Sequence, residues 1–137
     1  MALFIEFIIQ QWILFAALAS VLLMLFFHES RKSGPSLSPQ QAINMVNGED
    51  GLFLDLREVA DFSSGHIVDA LNIPASKLAA RMAELEKHRD KPIVLVCKMG
   101  QTTGNAGKQL RAEGFEKVYR MSGGMMEWSN LQLPAVK

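Results

Sequence analysis

"IVLVCKMGQTTGNAGKQL", residues 93–110, decides the fold. Ile93 to Val96 run apolar without interruption, which suits a central parallel strand buried on both faces. Lys91-Pro92 turns the chain into this strand. Cys97 follows at once, then a glycine-bearing loop, then a helix predicted over Thr103–Glu113. Ala106 and Leu110 share one face of that helix, and Gly114 is its C-cap. Parallel sheets gather their chemistry at the carboxyl ends of strands, and Cys97 stands there. The loop "KMGQTT" can turn several backbone N–H groups toward one point. The helix amino terminus adds a positive dipole end, and Lys98 adds a full charge. All three favour a thiolate over a thiol. Gly100 leaves the cradle open and can take a positive φ. Thr102 and Thr103 offer hydroxyls to an anion and can cap the helix. The alternative is a buried inert cysteine, the usual fate of a lone Cys, but the loop context favours a reactive one.

Working outward, strands alternate with helices. Ser38 reads as an N-cap, with Pro39 in the first helical position and Gln41 completing a capping box; Asn47-Gly48 ends that helix. "LFLDL" (52–56) is a short strand, "REVADF" (57–62) a short helix closed by Ser64-Gly65, and "ALNIP" (70–74) another strand. Ser76 caps a helix whose Leu78, Met82 and Leu85 fall on one face. "KVYR" (117–120) is the last strand and Met125–Leu131 the last helix. The class is therefore α/β, a parallel sheet with helices on both faces. Trp128, Met125 and Met126 read as core. His66 reads as a structural, hydrogen-bonding histidine in preference to a general base. Asp55 and Arg57 flank the end of the first strand, where they either orient the loop or pair with each other.

Composition narrows the function. The 137 residues carry 14 basic and 14 acidic side chains and no net charge, which argues against nucleic-acid binding. One cysteine makes no internal disulfide, and no His or Cys spacing suggests a metal site. No metal and no cofactor are expected.

"FIIQQWILFAALASVLLMLFF", residues 7–27, contains no charge. As a helix it would extend about 31 Å, the hydrocarbon thickness of a bilayer. Nothing basic precedes the run, as a signal peptide would require, so one N-terminal transmembrane helix is expected. Arg31 and Lys32 follow it while Glu6 alone precedes it, which puts the C-terminal part in the cytoplasm. The division is 1–32 for anchor and basic flank, 33–37 for a linker within the Ser/Pro/Gly stretch "SRKSGPSLSP" (30–39), and 38–137 for the domain.

Four segments, in order, resemble one family. Cys97-x-x-Gly100-x-Thr102 is similar to the six-residue active-site loop of the rhodaneses, sulfurtransferases that carry sulfane sulfur as a cysteine persulfide. "DLRE" (55–58), "FSSGHIVDALNIP" (62–74) and "GGMMEW" (123–128) resemble three further signatures of that family. Val68-Asp69 stands where the family usually has Pro-Gly, and Met125 where it often has an aromatic residue. The resemblance implies a rhodanese-like fold and a double displacement through Cys97. It implies that Lys98, Met99, Gly100, Gln101, Thr102 and Thr103 form the substrate- and persulfide-binding loop, and that the partners are a small sulfur donor and a thiol or cyanide acceptor. With the anchor, it implies a single-pass protein of the bacterial inner membrane that can meet membrane-protein partners. Related phosphatases close a longer Cys-x5-Arg loop, whereas position 103 here is Thr. The rival from another class is a membrane-tethered docking module without chemistry.

Overall fold

The computed structural model describes residues 1–31 and 33–137. The chain divides into two units at this point. The first holds α1 (Ala2–Gln10) and α2 (Trp12–Arg31). The expected apolar stretch 7–27 thus falls on two helices, of which one, α2, is a candidate span. At Gln11 the backbone (φ −104°, ψ 14°) leaves the α ladder, and its carbonyl accepts from both Leu14 and Phe15. Hydropathy does not register such a break. α2 remains long and apolar enough to cross a membrane over Trp12–Glu29. Arg31 ends it, and Lys32, the other half of the expected basic flank, lies outside the described residues.

The second unit is a five-stranded, wholly parallel sheet in the order β1-β5-β4-β2-β3. In chain order it runs β1 (Ser36–Leu37), α3 (Pro39–Glu49), β2 (Leu52–Asp55), α4 (Val59–Ser64) and β3 (Leu71–Asn72). Then come α5 (Leu78–Arg81), β4 (Ile93–Val96), α6 (Thr103–Ala112), β5 (Val118–Met121) and α7 (Gly124–Asn130). β4 is central, as its composition requires. Side chains alternate across a strand. Ile93 and Leu95 therefore enter one core with Leu54, Leu78 and Leu110, while Val94 and Val96 enter the other with Phe53, Met121 and Trp128. Helices cover both faces.

Three expectations change. Residues 33–37, expected as linker, belong to the fold: Ser33 is buried, and Ser36 and Leu37 pair with Arg120 and Met121. A two-residue strand is too short to show a period. α3 carries the expected capping box at Ser38 and Gln41 but continues past Asn47-Gly48, ending at Asp50 in the left-handed conformation. The single helix expected after Ser76 is a short α5 between two 3-10 stretches, Ala75–Lys77 and Met82–His88, and Ser76 makes no capping bond. Leu78 and Leu85 are nevertheless buried as their spacing predicts.

Candidate active site

The turn after Val96 delivers Cys97 to the carboxyl end of the central strand, 4% exposed. β2 and β5 flank β4, so the turns after Asp55 and Met121 enclose the cysteine. The loop that follows is held at three levels. Inside it, the Gly100 N–H donates to Cys97 Sγ at 2.7 Å, with Gly100 at φ +89°. Behind it, the Thr103 hydroxyl donates to the Gly100 carbonyl at 3.1 Å and closes the ring from below. Across from it, the Cys97 and Lys98 carbonyls accept from the Met125 and Met126 N–H groups at 2.8 and 3.0 Å. The first turn of α7 thus pins the first two loop residues.

These bonds sort the expected loop residues. Gly100 serves the sulfur directly through its amide. Lys98, Met99, Gln101 and Thr102 are exposed. Thr102 occupies the N-cap of α6 without a side-chain capping bond. Thr103 is 1% exposed and spends its hydroxyl on the Gly100 carbonyl, so it shapes the loop and does not offer that proton to an anion.

Asp55 and Arg57 pair with each other. Arg57 Nε and Nη2 reach Asp55 Oδ1 and Oδ2 at 3.0 and 2.8 Å, and Nη2 also donates to the Gly65 carbonyl at 2.8 Å. The Arg57 N–H donates to Asp55 Oδ1 as well. Of the two sequence readings the mutual pair holds, and the hydrogen bonds of both side chains go to each other and to Gly65, not to residues 97–103. Asn72, which sequence reasoning passed over, donates from Nδ2 to the Asp55 and Arg57 carbonyls. It tightens the end of β2 beside the site.

His66 is structural. Its Nδ1 donates to the Phe62 carbonyl at 2.9 Å, its ring stacks on Phe62 at 3.8 Å, and its backbone exchanges both bonds with Val136. Trp128 and Met125 are core residues as expected, whereas Met126 is exposed. The role of Gly123-Gly124 was also missed. A Cβ on Gly124 would collide with the Cys97 carbonyl oxygen, so the loop and α7 approach this closely only over glycine. The doubled glycine before a helix was the available signal.

Chemically, the arrangement holds a nucleophilic atom at a strand end, with an amide donor on it and a cationic side chain adjacent to it in sequence. Negative charge on Sγ, or on a second sulfur attached to it, is what such a donor stabilises.

A family model for the rhodanese-like domain matches residues 38–131. The chain is similar to the uncharacterized protein YibN of Escherichia coli K12, 35% identical over 98 residues, or 71% of this chain and 68% of that one. It is also similar to a sulfurtransferase of Allochromatium vinosum, 34% identical over 92 residues, 67% of this chain and 84% of that one. Among solved structures, a rhodanese-related protein from Thermoplasma volcanium superposes with a TM-score of 0.64 at 24% identity. The match covers 74% of this chain and 97% of that one, and it attests the fold alone.

Proposed function

Since this chain belongs to the rhodanese-like family, a family of sulfur transfer, we propose that it is a membrane-anchored sulfurtransferase working through a Cys97 persulfide. The observation that carries this reading is the Gly100 N–H on Cys97 Sγ at the end of the central strand. The Cys97 thiolate attacks the outer sulfur of thiosulfate or of a persulfide. A new S–S bond forms to Sγ, the donor's own S–S bond breaks, and sulfite or a thiol leaves with the bonding pair. The persulfide's charge rests against the loop amides. Cyanide or a thiolate then attacks the outer sulfur, departs as thiocyanate or a persulfide, and returns Cys97 as thiolate. The donor product leaves before the acceptor enters, so the kinetics are ping-pong. Lys98, exposed beside Cys97, draws anionic donors by its charge.

Thr103 supports sulfur transfer over phosphoryl transfer. The position from which a related phosphatase would present a guanidinium fork holds a buried hydroxyl bonded to the loop itself. In the same reading α2 is a single-pass anchor, with the domain on the side of Arg31 and Lys32.

The test is intact-mass measurement on the full chain in detergent micelles after exposure to thiosulfate. Wild type gains the mass of one sulfur atom and loses it to cyanide, while Cys97→Ser gains nothing. A wild-type chain that takes sulfur from no donor, yet binds membrane partners equally well with Ser at 97, is a docking module and not an enzyme.

A further inference from the structure

Residues 33–37 precede the stretch that matches the rhodanese-like family, yet the fold seats them at both ends. At the amino end, Ser33 is 5% exposed and its backbone lies on α6. A Cβ on Gly107 would strike the Ser33 carbonyl oxygen, and one on Gly104 would stand 3.6 Å from Ser33 Oγ. Gly104 and Gly107 are three apart and share a face of the helix, so α6 carries a notch that this segment fills. Gly34 follows at φ +91°, where a Cβ would strike the Val118 carbonyl oxygen. At the carboxyl end the contacts are ladder bonds. The Pro35 carbonyl accepts from the Arg120 N–H at 2.9 Å, and the Leu37 carbonyl accepts from the Ser122 N–H at 2.8 Å.

The two ends of this strap touch the two arms that hold Cys97. The first arm is α6. It begins at Thr103, whose hydroxyl fixes the Gly100 carbonyl, and the Gly100 amide lies on Cys97 Sγ. The second arm is the turn after β5. Ser122 leads directly into Gly123-Gly124, and the first turn of α7 holds the Cys97 and Lys98 carbonyls through the Met125 and Met126 N–H groups. The strap has its amino end on the first arm and its carboxyl end on the second. Four peptide steps separate Ser33 from Leu37, so it limits the span between those two contacts to about 14 Å.

We propose that residues 33–37 are a positioning segment for the Cys97 loop, a strap that keeps α6 and the turn before α7 at the spacing the persulfide cradle needs. The strap takes no part in the chemistry and acts through the two arms. A reacting group misplaced by about 1 Å can lose roughly a hundredfold in rate, so a support that moves either arm is felt at the sulfur. The rate consequence rests on the sulfur-transfer reading of Cys97, while the geometric one does not.

Two measurements on the full chain in detergent micelles test it. The first is native-state hydrogen exchange of the wild type at graded low urea. The Arg120 and Ser122 amides report the strap, the Met125 and Met126 amides report the second arm, and the β4 amides report the core. The strap pair and the methionine pair should open together, with protection factors within about threefold of each other and at least about tenfold below those of β4. A methionine pair that stays closed after the strap pair opens, or that opens only with β4, overturns the proposal. The second measurement is the rate of sulfur loading of Cys97 from thiosulfate, followed by intact mass. Alanine favours a helix over glycine, so Gly107→Ala leaves α6 intrinsically better formed while denying the strap its seat. Gly34→Ala dislodges the same strap from β5. Both variants, with the fold checked by near-ultraviolet circular dichroism, should load at least about tenfold more slowly than wild type. Leu71→Ala, on the opposite edge strand, should load within about twofold of wild type, because it weakens the sheet without touching either arm. Glycine variants that load as fast as Leu71→Ala overturn the positioning role. Exchange needs no sulfur donor, so a wild type that takes no sulfur overturns the sulfur-transfer reading while the first measurement still decides the strap.

Discussion

A methyl group on Gly124 would strike the Cys97 carbonyl oxygen and stand 2.8 Å from the carbonyl carbon and oxygen of Lys98, on a backbone at φ +57° that L side chains rarely adopt. Gly124→Ala should therefore push α7 off the loop and break the Met125 and Met126 bonds that aim Cys97. The expected cost is about 1–3 kcal/mol in stability and at least roughly tenfold in sulfur-transfer rate. The matched control is Gly48→Ala. Gly48 lies in α3 with nothing within 4 Å of its Cβ position, so that change should stabilise by about 0.5–1 kcal/mol and leave the rate alone. Urea unfolding in micelles beside initial rates checks both, and equal effects at the two positions would refute the pinning argument. At this scale the sequence is legible where a residue's type fixes its place: Cys97 at the strand end, Gly100 at a positive φ, and the capping pair Ser38 and Gln41. It was read less well where a hydroxyl or a guanidinium chooses among partners. Thr103 turns to the Gly100 carbonyl because ring closure puts that acceptor beneath it, and Arg57 turns to Asp55 because one intervening residue lets the fork close. Neither choice is written in spacing alone.

β4 was legible to the residue because burial on both faces removes every polar position from it, and the turn at Lys91-Pro92 and the loop after Cys97 bound it. Leu95, fully buried in the core beneath α5 and α6, should cost about 2–5 kcal/mol when cut to alanine. Leu71→Ala, on the half-buried edge strand β3, should cost clearly less by the same unfolding measurement. If the two are equal, the layering described here does not carry the stability. The stretch after Ser76 shows the limit of periodicity. Leu78, Met82 and Leu85 fit an α-helix by spacing, yet most of it is 3-10. The ion pairs Arg81–Glu84 and Glu86–Arg89, both three apart, match the tighter turn, in which side chains at i and i+3 eclipse. Apolar spacing alone does not discriminate between the two helices over so short a run. β1 was hidden for another reason. Its identity as a strand comes from Arg120 and Met121, more than eighty residues away, and from nothing in Ser36 or Leu37 themselves.

On the scale of the whole chain, the boundary between the apolar segment and the domain was legible, because charge and hydropathy change abruptly there. What composition hid was that the Ser/Pro/Gly stretch is already folded, through backbone pairing and a buried Ser33. The orientation of the proposed anchor would be set by the charges that flank the apolar helix. Cytoplasmic flanks are enriched in Lys and Arg, and only cations count strongly. Arg31 and Lys32 follow α2, while the segment before Trp12 contains Glu6 and no Lys or Arg. If α2 is the proposed anchor, residues 33–137 are expected in the cytoplasm, where reducing conditions would keep a lone thiol reduced. Protease added to intact spheroplasts should leave this part whole and should degrade it once the membrane is permeabilised, while alkaline carbonate should leave the chain in the membrane pellet. Moving the positive charges, with Arg31→Gln and Lys32→Gln and two lysines placed before Phe7, should expose the domain to the external protease in a substantial share of molecules. Digestion of the unmodified chain from outside would reverse the assignment, and release by carbonate would remove the anchor from it altogether.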